Sequence, residues 1–409
     1  MGGRRRRAGA AAVLLGACGF ALLAPAALDG GAASAAPGPG TDRTAHAQVT
    51  VAAASTARIG ELAALDVAAM STREKAAAVV MGHIPGSDPA ALRAFMSETG
   101  AGGFILMGAN IPQTEGELRM ITEALTLDPA LPPLIGIDEE GGDVARLPWD
   151  ALASALTLKT QPAAAAERAF AGRGALVQRA GIGVNFGVVA DVTPGPGHFI
   201  WRRSFGWPAD DAAGRVAAAV TGEGAQAFST LKHFPGHGAP AGDSHTSIPT
   251  TDLPYERWRA VDAVPFVAGI DAGAPIVMFG HLAYTAVDAA PASLSPEWHR
   301  ILRDELGFTG AAVTDDLGML QASGHPAYRD PVANAVAALA AGNDLLLGVM
   351  FSTPETTSAI IDGIVAAVES GAVPVARLDE AATRVHALRL QLAGAGRGML
   401  PCADCAPVG

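Results

Sequence analysis

The sequence predicts an α/β protein folded as one (β/α)8 TIM-like barrel, and three observations carry that prediction. Short strand-like pieces alternate with helical pieces from about residue 57 to residue 395. That alternation is the signature of a mainly parallel sheet whose two faces are both covered. The number of repeats is also right, because seven strands can be counted and an eighth is expected among the earliest residues of the domain. Finally, no strong linker divides the stretch, which favours one barrel over a doubly wound open sheet or two domains.

The elements follow in order. Ser71-Thr-Arg-Glu74 is a capping box that opens a helix expected to run through Val80. Pro89 starts a second helix that ends near Gly100. Strand 103–107 follows, then helix 115–126, strand 134–137, helix 163–180 and strand 184–189. The rhythm continues with helix 209–224, strand 229–232, helix 255–271, strand 276–279, helix 296–306, strand 311–314, helix 330–341 and strand 344–347. Helices at 355–369 and 378–393 are expected to close the outer ring.

The chain has 409 residues, half of them apolar and 17% charged, with a formal net charge of -12. That acidic balance excludes the basic surface a nucleic-acid partner needs. Residues 1–35 read as a secretory signal, with Arg4 to Arg7 as the basic end, an apolar run from Ala8 to Leu28, and Ala33-Ser-Ala35 as the cleavage site. A rival reading is the lipobox-like Leu15-Gly-Ala-Cys18, which would put a lipid on Cys18 and give the protein its sole attachment to a membrane. Either reading places the protein outside the cytoplasm. Residues 36–56 form a flexible segment, 57–398 the catalytic domain and 399–409 a tail, in which Cys402 and Cys405 are placed to form a small disulfide. A monomer without a cofactor is expected.

In a barrel, the chemistry belongs to loops at the C-terminal strand ends. Polar residues gather there in four segments: Asp138-Glu-Glu-Gly-Gly142 with Arg146; Arg203-Ser-Phe-Gly206; Lys232-His-Phe-Pro-Gly-His-Gly238 with Asp243-Ser-His245; and Thr314-Asp-Asp316. A polar group ending an apolar strand is costly to desolvate unless it is paired or used. Asp243 and His245, two apart in an extended loop, can face the same side, where a carboxylate fixes the imidazole for acid/base work; equally, they can simply hold the loop. Asp315 and Asp316 point to opposite faces of a strand, so one faces the barrel axis and the other serves as scaffold, and the pattern leaves open which. A catalytic metal is not expected. His233 and His237 are separated by Pro235-Gly236, which prevents the helix that would align them, and no His-Glu-x-x-His or cysteine cluster is present. A serine hydrolase is not supported either, because no Gly-x-Ser-x-Gly elbow occurs.

Taken together, these segments resemble glycoside hydrolase family 3 and, within it, the bacterial β-N-acetylglucosaminidases of cell-wall turnover. Asp138-Glu-Glu-Gly-Gly with Arg146-Leu, Asn185-Phe-Gly-Val-Val-Ala-Asp191, Arg203-Ser-Phe-Gly, the Lys232–Gly238 segment with Asp243-Ser-His245, and Thr314-Asp-Asp-Leu-Gly-Met319 carry the resemblance in order along residues 65–395. The resemblance implies a retaining double displacement with Asp315 as nucleophile and His245, supported by Asp243, as acid/base, where most retaining enzymes use a second carboxylic acid. It implies that Asp138, Arg146, Arg203, Lys232 and His233 bind the sugar. The expected substrate is a small glycan ending in β-linked N-acetylglucosamine, from peptidoglycan fragments or chitooligosaccharides. Three departures stand out: Glu139 and Asp143 replace Gln and Arg of the family motif and are expected to add negative charge near the entrance, and Ala239-Pro240 replace an Asp-Thr pair. Rival readings are a phosphorylase, in which phosphate replaces water, and a non-catalytic glycan-binding lipoprotein.

Overall fold

The computed structural model describes residues 57–224 and 226–395. The expectations for the signal, for Cys18, for the flexible segment and for the Cys402–Cys405 tail lie outside these residues. Eight parallel strands form the sheet: β1 Val80–Gly82, β2 Gly103–Leu106, β3 Leu134–Ile137, β4 Val184–Val189, β5 Phe228–Phe234, β6 Ile276–Phe279, β7 Ala311–Thr314 and β8 Leu346–Leu347. Each pairs with its sequence neighbour from β1 to β7, and β8 pairs with β1. A parallel bridge between Val313 and Leu345 brings β8 back to β7 and nearly closes the barrel.

The eighth strand therefore lies at Val80–Gly82, where the sequence reading had ended a helix. That helix stops at Ala78, after its capping box is satisfied by Ser71 and Glu74. Three further expectations are corrected. The helix expected over 255–271 is two helices, Tyr255–Ala260 and Ala263–Asp271, broken at Val261 and Asp262. The helix expected over 296–306 is a short α-helix, Pro296–Arg300, continued by a π-turn over Ile301–Glu305. Asp344, expected to begin a strand, precedes it: its carboxylate instead accepts from Ala312 N at 2.9 Å and from Arg303 at 2.7 Å.

Side chains from alternating strand positions fill the barrel, among them Met81, Ile105, Phe186, Met278, Val313 and Leu347. The last helix starts at Val375, earlier than expected, and does more than close the ring. Its Val385, Leu388 and Leu392 join the interior cluster, and Leu392 lies against Gly183 at the N-terminal end of β4. The floor of the barrel is thereby sealed with apolar packing, and the open end is left to the strand C-termini and their loops.

Candidate active site

Every segment singled out from the sequence reaches one cavity at the C-terminal end of the barrel. It measures about 180 Å³ and is lined by Asp138, Arg146, Arg203, Lys232, His233, His245, Asp315 and Asp316, with Met107, Met278, Met319 and Met350 among its apolar walls. Asp243 stands just behind His245 on the same loop.

The charged side chains hold one another in place. Lys232, almost fully buried at the end of β5, donates to Asp138 at 2.9 Å and to Glu140 at 2.7 Å. Arg203 grips Glu140 with both arms, at 2.9 and 2.7 Å, the fork geometry that a guanidinium offers a carboxylate. Burial alone would raise the Glu140 carboxyl, but Arg203 and Lys232 outweigh it and hold it at about 2. Arg146 reaches the other Asp138 oxygen at 3.4 Å. A buried cation, Lys232, and a mostly buried one, Arg203, thus serve the buried anion Glu140, and Lys232 also serves the mostly buried Asp138, which lines the cavity. Sequence reasoning did not assign a role to Glu140. Its signal was present, because Asp138 and Glu140 are two apart and so can share one side of the loop.

Asp191, at the end of β4, is a second hidden organiser. It is buried and accepts from His233 Nδ1 at 2.7 Å, from His233 N at 3.1 Å and from His237 N at 2.6 Å. That leaves His233 Nε2 facing Arg203 at 3.4 Å. The Lys232–His233 peptide is cis, and both side chains line the cavity. His237 is buried behind them and bonds Ser244 Oγ at 2.9 Å; burial, followed by the neighbouring His233, lowers it to about 4, so it is neutral at physiological pH.

The loop carrying Asp243 and His245 is tied down at its base. Trp258 Nε1 donates to Pro235 O at 2.7 Å and Tyr284 Oη to Gly236 O at 2.6 Å. Gly238 passes so close to Val192 that a Cβ would sit 1.7 Å from the Val192 carbonyl oxygen, so no other residue fits there. Beyond this point the loop reaches solvent: the side chains of His245 and Asp243 are 58% and 50% exposed. Asp243 Oδ1 meets His245 Nδ1 at 2.6 Å and also accepts from the His245 backbone N–H at 3.0 Å. The geometry is compatible with both sequence readings of this pair, for the carboxylate shapes the turn and orients the ring, and Nε2 has no partner among the described residues.

The two aspartates after β7 divide as the strand alternation requires. Asp316 caps the helix Leu317–Ala322, and its oxygens accept the N–H groups of Gly318, Val349 and Met350 at 2.9, 2.8 and 2.9 Å. Asp315 takes one such bond, from Asp316 N at 2.8 Å, and none at its other oxygen among the described residues. Burial works to raise its carboxyl, yet His233, His281, the Asp316 N–H and Lys232 together hold it below the ordinary value. The result is an ionised carboxylate in the cavity wall with one oxygen unengaged.

The expected negative charge near the entrance is not found. Glu139 points away from the cavity and is fully buried, with Oε2 accepting from Arg146 N and Leu147 N, each at 2.8 Å. Burial raises it to about 8, so it is largely a neutral acid. Asp143 is paired at the surface with Arg202, at 2.8 Å, which cancels its charge. A strand-end motif shows which residues are acidic but not which of them turn inward.

A family model described as glycosyl hydrolase family 3 N terminal domain matches residues 57–388. A β-hexosaminidase of Methylococcus capsulatus is 35% identical over 281 residues, covering 66% of this chain and 82% of the relative. Among solved structures, a glycoside hydrolase family 3 β-N-acetylglucosaminidase from a Paenibacillus species is 32% identical with a TM-score of 0.74, over 82% of this chain and 66% of that longer one. A β-N-acetylhexosaminidase from Beutenbergia cavernae is 26% identical with a TM-score of 0.69, over 80% of this chain and 99% of its own. The barrel, the ordered motifs at its C-terminal end and these likenesses agree, and the chain belongs to glycosyl hydrolase family 3.

Proposed function

We propose that this protein is an exo-acting retaining β-N-acetylglucosaminidase that removes terminal β-linked N-acetylglucosamine from short glycans, with Asp315 as nucleophile. The observation that carries the reading is the split between Asp315 and Asp316. One is ionised with a free oxygen in the cavity, and the other is consumed by three backbone N–H groups. The names of the Methylococcus and Paenibacillus relatives support the sugar assignment.

In this reading Asp315 attacks the anomeric carbon while His245, starting as the imidazolium, gives its Nε2 proton to the departing glycosidic oxygen and is left neutral, with Asp243 accepting from Nδ1 before and after the step. The covalent glycosyl-aspartate is then hydrolysed by a water that His245 deprotonates. Asp138 accepts from sugar hydroxyls, while Arg146, Arg203 and Lys232 donate to hydroxyl and acetamido oxygens, and His233 lines the same sugar pocket. The cavity of about 180 Å³ falls below the several hundred that larger ligands fill, and so suits a single terminal sugar. Peptidoglycan fragments and chitooligosaccharides both present such an end. The basic, apolar N-terminus supports export, with either cleavage near Ala35 or lipidation at Cys18, and the active form is a monomer.

The test is to incubate the enzyme with a chromogenic β-N-acetylglucosaminide and the matching β-glucoside, with and without phosphate. Preferential release from the first, with free N-acetylglucosamine as product in both buffers, is expected. A sugar phosphate as product would replace the hydrolase with a phosphorylase, and no release from either glycoside would remove the catalytic reading.

A further inference from the structure

A second, larger hollow of about 500 Å³ opens on the far side of the catalytic loop. Its walls come from the segment after β4, from the loop between β5 and the next helix, and from the Tyr255–Ala260 helix and the residues that follow it. Gly238 and Ala239 line it while His237, Ser244 and His245 line the active-site cavity, so the two hollows share the catalytic loop as a partition. A line of aromatic rings joins them. His237 meets Phe199 at 4.5 Å, edge to face, and Phe199 meets His198 at 5.5 Å. Phe199 lines the first hollow and His198 the second.

Three features of this groove point to a ligand. Trp207 lies in its wall as a 45% exposed residue, a large apolar side chain left partly to water. Asp262 also lines it, although that residue is only 4% exposed, and among the described residues its carboxyl is met by hydrogen bonding only from its own backbone N–H. A buried carboxyl so sparsely met, in the wall of the groove, is costly unless something arrives to meet it. Burial, followed by the nearby charge of Asp191, raises Asp262 to about 7, so near neutral pH it can accept or donate. Arg257 completes the set, a solvent-exposed guanidinium in the wall with no ion-pair or hydrogen-bond partner among the described residues and so available to a ligand. An apolar ring face beside a carboxyl and a guanidinium is the complement of a pyranose, which presents a face of C–H groups and a rim of hydroxyls. A purely apolar ligand would leave Asp262 and Arg257 unmet.

We propose that this groove is a second glycan site, in which a sugar ring of the same or another glycan chain stacks on Trp207 and hydrogen-bonds to Asp262 and Arg257. It holds glycan close to the catalytic loop and rests on the proposed function only for the identity of the sugar, N-acetylglucosamine. The site is not part of the reaction, so variants in it leave hydrolysis of a small chromogenic glycoside unchanged.

The chain has five tryptophans, of which Trp207 alone lines the groove and none lines the active-site cavity, so the groove is read from the part of the emission change that Trp207→Phe removes. The full chain carrying Asp315→Asn, which prevents turnover, is titrated with triacetylchitotriose. A saturable shift of the emission to shorter wavelength is expected, lost in Trp207→Phe. Calorimetry is expected to resolve two sites, one of which is weakened up to about tenfold by Trp207→Ala and weakened likewise by Asp262→Asn, with circular dichroism of both variants unchanged. An emission that does not move, a shift that survives Trp207→Phe, or an isotherm unaltered in both groove variants overturns the proposal. Failure of the wild-type enzyme to cleave a chromogenic β-N-acetylglucosaminide would instead overturn the catalytic reading, and leaves the fluorescence result to decide the groove by itself.

Discussion

Asp316 Oδ2 accepts the backbone N–H of Met350 at 2.9 Å, fastening the end of β7 to the chain that follows β8. The same carboxylate holds Gly318 and Val349 through its other oxygen. Asp316 is therefore a structural knot in the cavity wall, and its neighbour Asp315 keeps an oxygen without a partner among the described residues. Burial raises Asp316 to about 6, against the pull of these three bonds.

The two residues should fail in different ways when replaced. Asp316→Ala strands three N–H groups and removes a helix cap, and is expected to cost about 2–4 kcal/mol of stability. Asp315→Ala is expected to keep its melting temperature and lose several powers of ten in kcat. Thermal melts and steady-state kinetics on the two variants separate the cases; equal loss of stability in both would contradict the division.

Glu140 is predicted to set the binding of the sugar through its neighbours. Glu140→Gln removes the charge that Arg203 and Lys232 share, leaving two buried cations under-compensated, at a cost of about 3–5 kcal/mol. KM for a chromogenic glycoside should rise more than kcat falls, because Arg203 and Lys232 lose their alignment. Since Glu140 is held at about 2 against an ordinary 4.5, its contribution is present above pH 4.5 and disappears as the pH falls through 2. Acid denaturation of the wild type should therefore carry a component that the variant lacks.

Glu139 gives the opposite dependence. Its carboxyl is raised to about 8 in the folded protein, first by burial and then by the adjacent Asp150. The folded state binds this proton more tightly than the unfolded state, so the stability it contributes is complete below pH 4.5 and is lost as the pH rises through 8. Glu139→Gln keeps an acceptor for Arg146 N and Leu147 N without an ionisable group. Denaturant unfolding at pH 5 and pH 9 should show the variant gaining on the wild type by a few kcal/mol across that interval; parallel curves would contradict the buried neutral acid.

The barrel was legible in the sequence because its strands are short, mostly apolar and separated by helices with clear caps, such as Ser71 and Glu74. Val80–Gly82 escaped notice because a three-residue strand directly after a helix has no periodicity of its own. The cavity residues were legible as polar groups at strand ends, and the catalytic loop as a Gly-rich segment ending in Asp243-Ser-His245. What the pattern could not convey was direction. Glu139 and Glu140 are neighbours of the same type, yet one faces the protein interior as a neutral acid and the other anchors two cations. Asp191 was visible as the polar end of β4, but its service to both His233 and His237 depends on a meeting of β4 with the loop after β5 that no local spacing encodes.

His245 is predicted to act according to the leaving group. His245→Ala should slow the first step severely when the aglycone is a sugar, which needs a proton to depart, and much less when it is a nitrophenol. Azide, which needs no general base, should restore the second step and give a β-glycosyl azide. Asp243→Asn should show a milder form of the same defect. Equal losses on all aglycones with no azide adduct would reduce the pair to a loop clasp.

The central claim is that Asp315 forms a bond to the sugar, and covalent trapping tests it most directly. A slow fluorinated glycosyl substrate, followed by proteolysis and mass spectrometry of the labelled peptide, is predicted to place one sugar on Asp315 and none on Asp316. A label on any other residue, or inactivation without a label, would contradict the account.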